Sequence, residues 1–353
     1  MQQLRERLPS LFLPDLSLWY PWHSAHGTLP AAWTGESLAG VCLAMGLPCW
    51  QPVRAWSLTM PGIQVRTAQD AKERTTRWLA PSGALQARWT VGPDGDWWQA
   101  EYPVKDGRDL AAAAEIVAAR VYRQEPARLS PAGAQPAQVA PSDLAVLELP
   151  MRPYQELLHS FLGFGEGFLL LFQEAERIAG LLAALEAGLQ GLLRELAGLD
   201  FDIALSPDNL DTQFVTPPAF AAHHQPSYRA SADTLHAAGK LLAVHAGGPV
   251  RSLLPGLSDA GVDLIEGISG PPQSDAGLGE ARELCGRKVI LWGGLPQDLL
   301  APGTAPDEFQ QAAMLAVREV RGDPYALLGV ADRVPVSAPI ERLELLRRLA
   351  VEA

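Results

Sequence analysis

The chain has 353 residues, 48% of them hydrophobic, and its 40 acidic and 28 basic side chains give a net charge of −12. This balance repels a phosphate backbone and argues against nucleic acid as a partner. The three cysteines lack paired spacing, so neither a disulfide framework nor a thiolate zinc cage is indicated.

The sequence predicts neither a leader peptide nor a membrane span. The N-terminus lacks a basic segment followed by a long apolar stretch, and the apolar run Phe161–Phe172 is interrupted by Glu166 and several glycines. We therefore expect a soluble cytoplasmic protein with no membrane partner.

The N-terminal part, residues 1–123, contains mixed local patterns. The segment Leu11–Thr28 is dense in aromatic and imidazole groups, which favours a stretch that lines a site. Leu38–Met45 is predicted to be a short helix, and Trp50–Trp56 an extended segment. Asp109–Tyr122 is rich in alanine and is predicted to be helical.

An accessory β-hairpin is predicted over residues 84–104. Its strands, Leu85–Thr90 and Trp97–Val104, flank the turn-forming sequence Gly92-Pro-Asp-Gly95. Residues 124–142 follow, rich in Pro, Ala, Gly and Gln and poor in core-forming side chains, and are predicted to be a surface linker. The main βα repeats are expected over residues 143–353.

Short apolar runs separated by stretches of helical composition fill this last part. They indicate buried parallel strands joined by helical crossovers, as in an α/β barrel with one domain over residues 1–353. The predicted strands are Leu144–Leu149, Phe201–Leu205, Leu241–Val244, Val262–Ile265, Lys288–Leu291 and Tyr325–Leu328, and the predicted helices include Glu174–Leu196 and Pro217–Ala238. Active sites of such barrels gather at the C-terminal ends of the strands.

Polar side chains stand at these strand ends. We predict that His245, Glu266 and Asp208 are catalytic, because an imidazole and a shielded carboxyl can serve as acid and base. Asn209 and Asp211 are predicted to bind substrate. Two alternatives stay open: Asp208 and Asp211 can cap a helix or a turn, and Glu266 can form a structural salt bridge. The small residues after His245 favour a functional imidazole, because a ligand or backbone can approach it closely.

Further candidates for substrate binding come from other segments. His23 and His26 stand three residues apart next to Trp22, in a spacing that on a helix places both imidazoles on one face. Trp292 follows a predicted strand, and Arg333 is one of few cationic residues placed to reach the same site. Together with other aromatic residues they predict an apolar, aromatic cavity.

Several motifs in the second half resemble one protein family. They are Ala238-Gly-Lys-Leu-Leu-Ala-Val-His245-Ala-Gly-Gly248, Gly261-Val-Asp-Leu-Ile-Glu266, Leu291-Trp-Gly-Gly294 and Gly329-Val-Ala-Asp-Arg-Val-Pro335. In order and spacing they resemble the uroporphyrinogen decarboxylase superfamily, which contains decarboxylases of porphyrinogens and methyltransferases that use corrinoid and thiol carriers. The resemblance implies a (β/α)8 TIM barrel, here with an N-terminal extension and the accessory β-hairpin, and a homodimer is common in the family.

The sequence departs from the motifs of both branches. His23 stands where the decarboxylases have a substrate-binding arginine, the region Pro48–Val53 lacks their aspartate, and Val330 replaces their histidine or the methyltransferase cysteine. Gly247 replaces the cysteine of a His-x-Cys zinc pair, so a zinc site would have to use His245 and Glu266.

We therefore expect methyl transfer from a small methoxylated or methylated donor to a corrinoid carried by a partner protein, with zinc as the expected metal. Two alternatives stay open. One is decarboxylation of a uroporphyrinogen-type substrate, which needs neither metal nor partner. The other is a protein without catalytic activity that binds a tetrapyrrole or another small molecule.

Overall fold

The computed structural model describes residues 11–92, 95–129 and 145–351. Residues 130–142 of the predicted linker and residues 93 and 94 of the predicted turn lie outside these ranges. The start of the predicted linker is structured instead, because Val121–Gln124 is a strand and Pro126–Arg128 a turn of 3-10 helix. Backbone contacts divide the chain into two units.

The parallel-sheet unit takes its residues from Met1–Val53, Arg128–Leu149 and Asp200–Ala353, and the antiparallel-sheet unit from Arg54–Ala127 and Pro150–Leu199. The prediction of one domain over residues 1–353 stays a prediction. The strands in chain order are β1 Trp56–Thr59, β2 Gln64–Gln69, β3 Glu73–Ala80, β4 Gly83–Val91, β5 Trp97–Glu101, β6 Val121–Gln124, β7 Val146–Glu148, β8 Ile203–Leu210, β9 Leu241–Ala246, β10 Leu264–Ile268, β11 Ile290–Pro296 and β12 Ala326–Ala331.

Six strands form a parallel sheet in the order β12-β11-β10-β9-β8-β7. Every residue of β10 and β12 is buried, as expected for strands covered on both faces. The apolar runs of the second half therefore become parallel strands, and the predicted mixed α/β fold is confirmed.

Two further segments extend this sheet by isolated parallel bridges, Phe12 to Leu328 at one edge and Val53 to Leu147 at the other. The eight segments contribute side chains to a single buried group, the interior cluster, which consists of Leu13, Trp50, Val146, Ile203, Leu205, Ala243, Leu264, Ile290, Trp292 and Leu327. Among the described residues no bridge joins the segments of Phe12 and Val53 to each other.

The helices of the parallel-sheet unit carry buried apolar residues on one side. Their bounds are Trp19–His26, Leu38–Met45, Pro217–Ala219, Gln225–Ala237, Leu254–Asp259, Leu278–Cys285, Pro306–Arg321 and Ile340–Val351. A π-helical turn, Phe220–His224, connects Pro217–Ala219 to Gln225–Ala237. Leu38–Met45 matches its prediction residue for residue, because Ser37 caps its first turn and Gly46 ends it in the left-handed conformation.

The antiparallel-sheet unit contains the four-stranded sheet β2-β3-β4-β5 and the pair β1-β6. The predicted hairpin is the pair β4-β5, although β5 ends at Glu101 rather than Val104. The sequence did not predict β2 and β3. The helix predicted over Asp109–Tyr122 ends at Ala118, because Val121 and Tyr122, with strong strand preference, pair with β1.

Helices complete this unit. They are Leu110–Ala118, Pro153–Glu156, which continues into a π-helical turn Leu157–Leu162, Glu166–Gln173 and Ala175–Leu196. The last confirms the predicted long helix, with leucines buried at helical spacing. Within the described ranges, no helix combines the length and apolar character needed to cross a bilayer.

A bulge in β10 makes Gly267 indispensable to the sheet. Its φ is +100°, and a Cβ there would overlap the carbonyl oxygen of Ala246. We predict that Gly267→Ala lowers the free energy of unfolding by about 3 kcal/mol, from backbone strain and this overlap.

Gly279→Ala is the matched control for chemical denaturation. Gly279 lies exposed in the helix Leu278–Cys285 with open space at its Cβ position, so alanine should raise the stability by up to about 1 kcal/mol. Equal denaturation midpoints for Gly267→Ala and the wild type would contradict the structural role of the bulge.

Candidate active site

Two adjacent strands place an imidazole directly opposite a carboxylate. His245 near the end of β9 and Glu266 in β10 are partners in the ladder. Each stands two residues beyond a member of the interior cluster, Ala243 and Leu264 respectively. Since side chains alternate along a strand, both extend the interior side of the sheet toward its C-terminal edge.

The two side chains are in direct contact. His245 Nδ1 shares a short hydrogen bond with Glu266 Oε2, and only 17% of the imidazole and 9% of the carboxylate side chain are exposed. Sequence analysis selected this pair, and the structure brings its members together.

Burial and mutual attraction set the protonation of the pair. Burial alone disfavours the imidazolium, but the charge and hydrogen bond of Glu266 outweigh it and raise the pKa of His245 to about 9. Burial also raises the pKa of Glu266 to about 7, although the charge of His245 opposes this shift. His245 is therefore a proton donor at neutral pH.

Two further carboxylates, which sequence analysis missed, lie near His245. Asp332 follows β12, and its Oδ1 is 3.8 Å from His245 Nε2. Arg333 Nε lies 3.6 Å from the same oxygen, so the predicted Arg333 is part of this group. Asp15 stands two residues after Leu13, and its charge also favours the imidazolium. Burial raises the pKa of Asp15, although Ser17 donates a hydrogen bond to it.

The sequence offered one indication of each missed residue. Asp332 belongs to the motif Gly329–Pro335, which stood out in the sequence. Its left-handed φ of +62°, uncommon for a residue other than glycine, is seen only in the structure. Asp15 lies in the aromatic segment that was expected to line a site. Without a predicted strand at Phe12, its alternation with Leu13 was not visible.

The small residues after His245 accommodate neighbouring side chains. A Cβ on Gly247 would overlap the Asn209 side chain, and one on Gly248 would lie 2.6 Å from Asp211 Oδ2. Asn209 and Asp211 thus occupy the space beside these two glycines, and close access of a ligand to His245 stays a prediction. Asp211 also accepts a hydrogen bond of 2.7 Å from the backbone of Gln213, as in the capping alternative.

Asp208 is enclosed in a polar network inside the protein. Its side chain is fully buried, and its Oδ2 accepts hydrogen bonds from Ser206 Oγ at 2.7 Å and from the hydroxyl of Tyr228. Its predicted catalytic role stays a prediction, and these bonds give it a structural role.

The predicted histidines of the first helix form a group of their own. His23 bonds through Nδ1 to Thr28 Oγ1 at 2.7 Å and through Nε2 to the carbonyl of Val336 at 2.9 Å. His26 stacks on Trp22 with 4.1 Å between ring centroids and bonds to its carbonyl. These contacts hold the helix Trp19–His26, and substrate binding by His23, His26 and Trp22 stays a prediction.

Trp292 lies within β11. The sequence had suggested instead that it follows the end of a strand. Its ring is 1% exposed, packs edge-on against Trp50, covers Gly329 and donates a hydrogen bond of 2.9 Å to the carbonyl of Leu13. The position after the strand was wrong because β11 continues through two glycines to Pro296. Trp292 therefore belongs to the interior cluster.

The predicted zinc site stays a prediction. The described residues contain no group of three His, Cys, Asp or Glu side chains placed to hold a metal ion. Of the two predicted ligands, His245 Nδ1 and Glu266 Oε2 face each other across a hydrogen bond.

Known proteins were compared with this chain in sequence and in structure, and similarity was found in structure. No protein-family model and no curated protein matches the sequence. A methyltransferase from Methanosarcina mazei is similar in structure, with a TM-score of 0.58 and 13% identity over 98% of this chain and 93% of that chain. A D-psicose 3-epimerase from Clostridium cellulolyticum H10 matches at a TM-score of 0.35 and 10% identity over 60% of this chain and 78% of that chain.

The first match spans nearly the full length of both chains. With a TM-score above 0.5 over that length, the match shows that this chain shares the overall fold of that methyltransferase. At 13% identity the likeness concerns the fold alone, and the reaction has to be argued from the site.

We predict that the paired site makes stability depend on pH. Both pKa values are raised, so folding takes up protons at this site. The stabilisation by Glu266 is complete below pH 4.5 and is lost as the pH rises to about 7. The stabilisation by His245 is complete below pH 6.5 and is lost as the pH rises to about 9. Between pH 5 and 9 the wild type should lose on the order of 1–3 kcal/mol more than the double variant His245→Asn, Glu266→Gln.

Denaturant unfolding at both pH values measures this difference. The contributions of all other titrating groups to the pH dependence cancel, because the wild type and the double variant both contain those groups. His26→Asn, an exposed histidine of the first helix, is the control and should keep the wild-type difference. Parallel stability curves for the wild type and the double variant would contradict the raised pKa values.

A second prediction concerns Asp208. Tyr228→Phe removes a hydroxyl donor from a buried carboxylate and should lower the free energy of unfolding by about 1–3 kcal/mol. Tyr20→Phe is the control, because the Tyr20 hydroxyl bonds to the Glu36 carbonyl at an exposed position, and its loss should cost less than about 0.5 kcal/mol. Equal losses in thermal or denaturant unfolding would argue against the buried network.

Proposed function

We propose that this protein is an enzyme that transfers a methyl group from a small methoxylated or methylated donor to a corrinoid carried by a partner protein. The observation that carries the proposal is the buried contact of His245 with Glu266 at the C-terminal edge of the sheet. The fold similarity to a methyltransferase supports methyl transfer as the reaction class.

We also propose that the eight parallel segments close into a (β/α)8 barrel. Support comes from the interior cluster, to which all eight segments contribute, and from the bridges that attach the segments of Phe12 and Val53 to opposite edges of the six-stranded sheet. Closure requires pairing between these two segments only. In such a barrel His245 and Glu266 lie at the face where active sites gather.

In the proposed reaction His245 is the general acid. As the bond between the methyl carbon and its heteroatom breaks, the electron pair stays on the heteroatom, and His245 Nε2 gives it a proton. The methyl carbon forms its new bond with an electron pair of the acceptor, and solvent then reprotonates His245. A positioned acid contributes typically 10²–10⁴-fold to such a step.

Glu266 is the positioning residue for this acid. It holds His245 Nδ1 in a hydrogen bond and favours the imidazolium. Because Nδ1 is held there, Nε2 faces Asp332, whose side chain is 35% exposed. Asp208 has no part in the proposed step, because it is fully buried. No step of the proposed reaction depends on zinc.

The charges around His245 argue against the decarboxylase alternative. Asp15, Glu266 and Asp332 all act on the imidazole, and Arg333 lies close to Asp332. A substrate with several carboxylates would meet these acidic groups, whereas a small neutral or cationic methyl donor would not be repelled.

The test is methyl transfer to free, reduced cobalamin, followed by absorbance with a panel of small methyl ethers, methylated amines and methylated thiols. We predict that His245→Asn lowers kcat by about 10²-fold or more and that Glu266→Gln lowers it about 10-fold or more. His236→Asn is the control, because His236 also pairs with a carboxylate, at 2.7 Å from Asp263, but this pair involves the residue before β10 and not a strand end.

The other outcomes select the alternatives. Activity that is unchanged in His245→Asn would remove His245 from the mechanism. Release of carbon dioxide from a uroporphyrinogen-type substrate, without methyl transfer, would favour the decarboxylase. Thermal stabilisation by a tetrapyrrole without turnover of any donor would favour a binding protein.

A further inference from the structure

The antiparallel sheet has one buried and one exposed face. On β3 and β4 the side chains alternate, so that Thr76, Leu85 and Ala87 are buried while Arg77 and Gln86 are exposed. The buried face belongs to an apolar core with Leu85 and Trp78. The opposite face, which we call the arginine face, carries Arg66, Arg77, Arg88 and Trp98, as the pairing register requires.

Two arginines of this face stand directly opposite each other. Arg66 on β2 pairs in register with Arg77 on β3, and both are exposed. Like charges at directly opposite positions of a sheet are destabilising. Arg66 bonds to the neutral Gln64 amide at 3.1 Å, and within the described ranges neither guanidinium has a carboxylate within ion-pair distance. The pair is thus a local positive charge on a chain with a net charge of −12.

The third arginine of this face, Arg88, differs from Arg66 and Arg77 because it has carboxylate partners. Arg88 lies 3.2 Å from Glu73 and 3.7 Å from Glu101, so its charge is balanced within the sheet. The uncompensated charge is therefore confined to Arg66 and Arg77.

A large aromatic side chain completes the face. Trp98 on β5 is 61% exposed, whereas its neighbour Trp97 lies on the other side of the sheet near Arg74. Exposed tryptophan and arginine are the residue types that most often carry binding energy in protein interfaces. The edge strand β2 is exposed at all six residues, so the described chain leaves this face open.

We propose that the arginine face docks an acidic surface of a partner protein, whose carboxylates bind Arg66 and Arg77 and whose apolar side chains cover Trp98. Charge complementarity selects this occupant. Guanidinium groups bind carboxylates in bidentate geometry, and two adjacent ones define a site for paired acidic residues. Glu73 and Glu101 on the same face, together with the net charge, disfavour the continuous phosphates of a nucleic acid.

This inference goes beyond the proposed function and does not depend on it, because the face belongs to the antiparallel-sheet unit and the test measures no turnover. The probe is a short fluorescein-labelled peptide of alternating Glu and Leu. Its Lys counterpart and heparin serve as comparison ligands. Binding to the full chain is followed by fluorescence anisotropy at two salt concentrations.

We expect the wild type to bind the acidic peptide with an affinity that falls with salt. The double variant Arg66→Gln, Arg77→Gln should weaken this binding about tenfold or more, and Trp98→Ala should weaken it independently. Arg123→Gln is the matched control, an exposed arginine on β6 in the same unit, and should bind like the wild type. The Tm of the double variant should equal or exceed that of the wild type, because a repulsion has been removed.

Three results would overturn the proposal. One is a wild type that does not bind the acidic peptide. Another is an affinity that is equal in the double variant or equally weakened in Arg123→Gln. The third is heparin binding that requires Arg66 and Arg77 while the peptide does not bind, which would indicate a surface for polyanions such as nucleic acid.

Discussion

The contact between His245 and Glu266 places a buried imidazolium next to a buried carboxyl, and the surrounding structure has to make this arrangement stable. Either charge alone would be costly to bury, because desolvation disfavours the ionised form of both groups. Their direct hydrogen bond offsets that cost. The register of β9 and β10 keeps the two side chains opposite each other, and the bulge at Gly267 lies immediately after this pair.

The interior of the parallel sheet changes character along its strands. Apolar side chains from eight segments form the interior cluster, and on β9 and β10 the residues two positions further on, His245 and Glu266, are polar. The same alternation that buries Ala243 and Leu264 therefore directs His245 and Glu266 to the C-terminal edge. The buried apolar side chains beneath the pair lower the polarity of its surroundings, which strengthens the electrostatic interaction between His245 and Glu266.

Much of this arrangement could be predicted from sequence, since apolar runs between helical stretches identify parallel strands and the residues at their ends. His245 and Glu266 were found in this way. Trp292 was misplaced, because Gly293 and Gly294 look like a loop in the sequence but continue β11 where another strand passes closely. Asp332 and Asp15 lie in segments that stood out in the sequence, but no spacing pattern connects them with His245, and only the tertiary structure brings them there. Strands β2 and β3 were missed because polar side chains stand on both of their faces, which leaves no regular apolar alternation in the sequence.

The order of the two units along the chain has a consequence for synthesis on the ribosome. All residues of the antiparallel-sheet unit have been made once Leu199 is added, whereas five of the six strands of the parallel sheet lie beyond Asp200. The antiparallel-sheet unit therefore has its partners available first, and β7 has to wait for a neighbour. Phe12 waits longest, because its bridge partner Leu328 follows it by 316 residues. Pairing over such a separation is slow, so the early segments stay exposed to proteases and chaperones until their partners have been made.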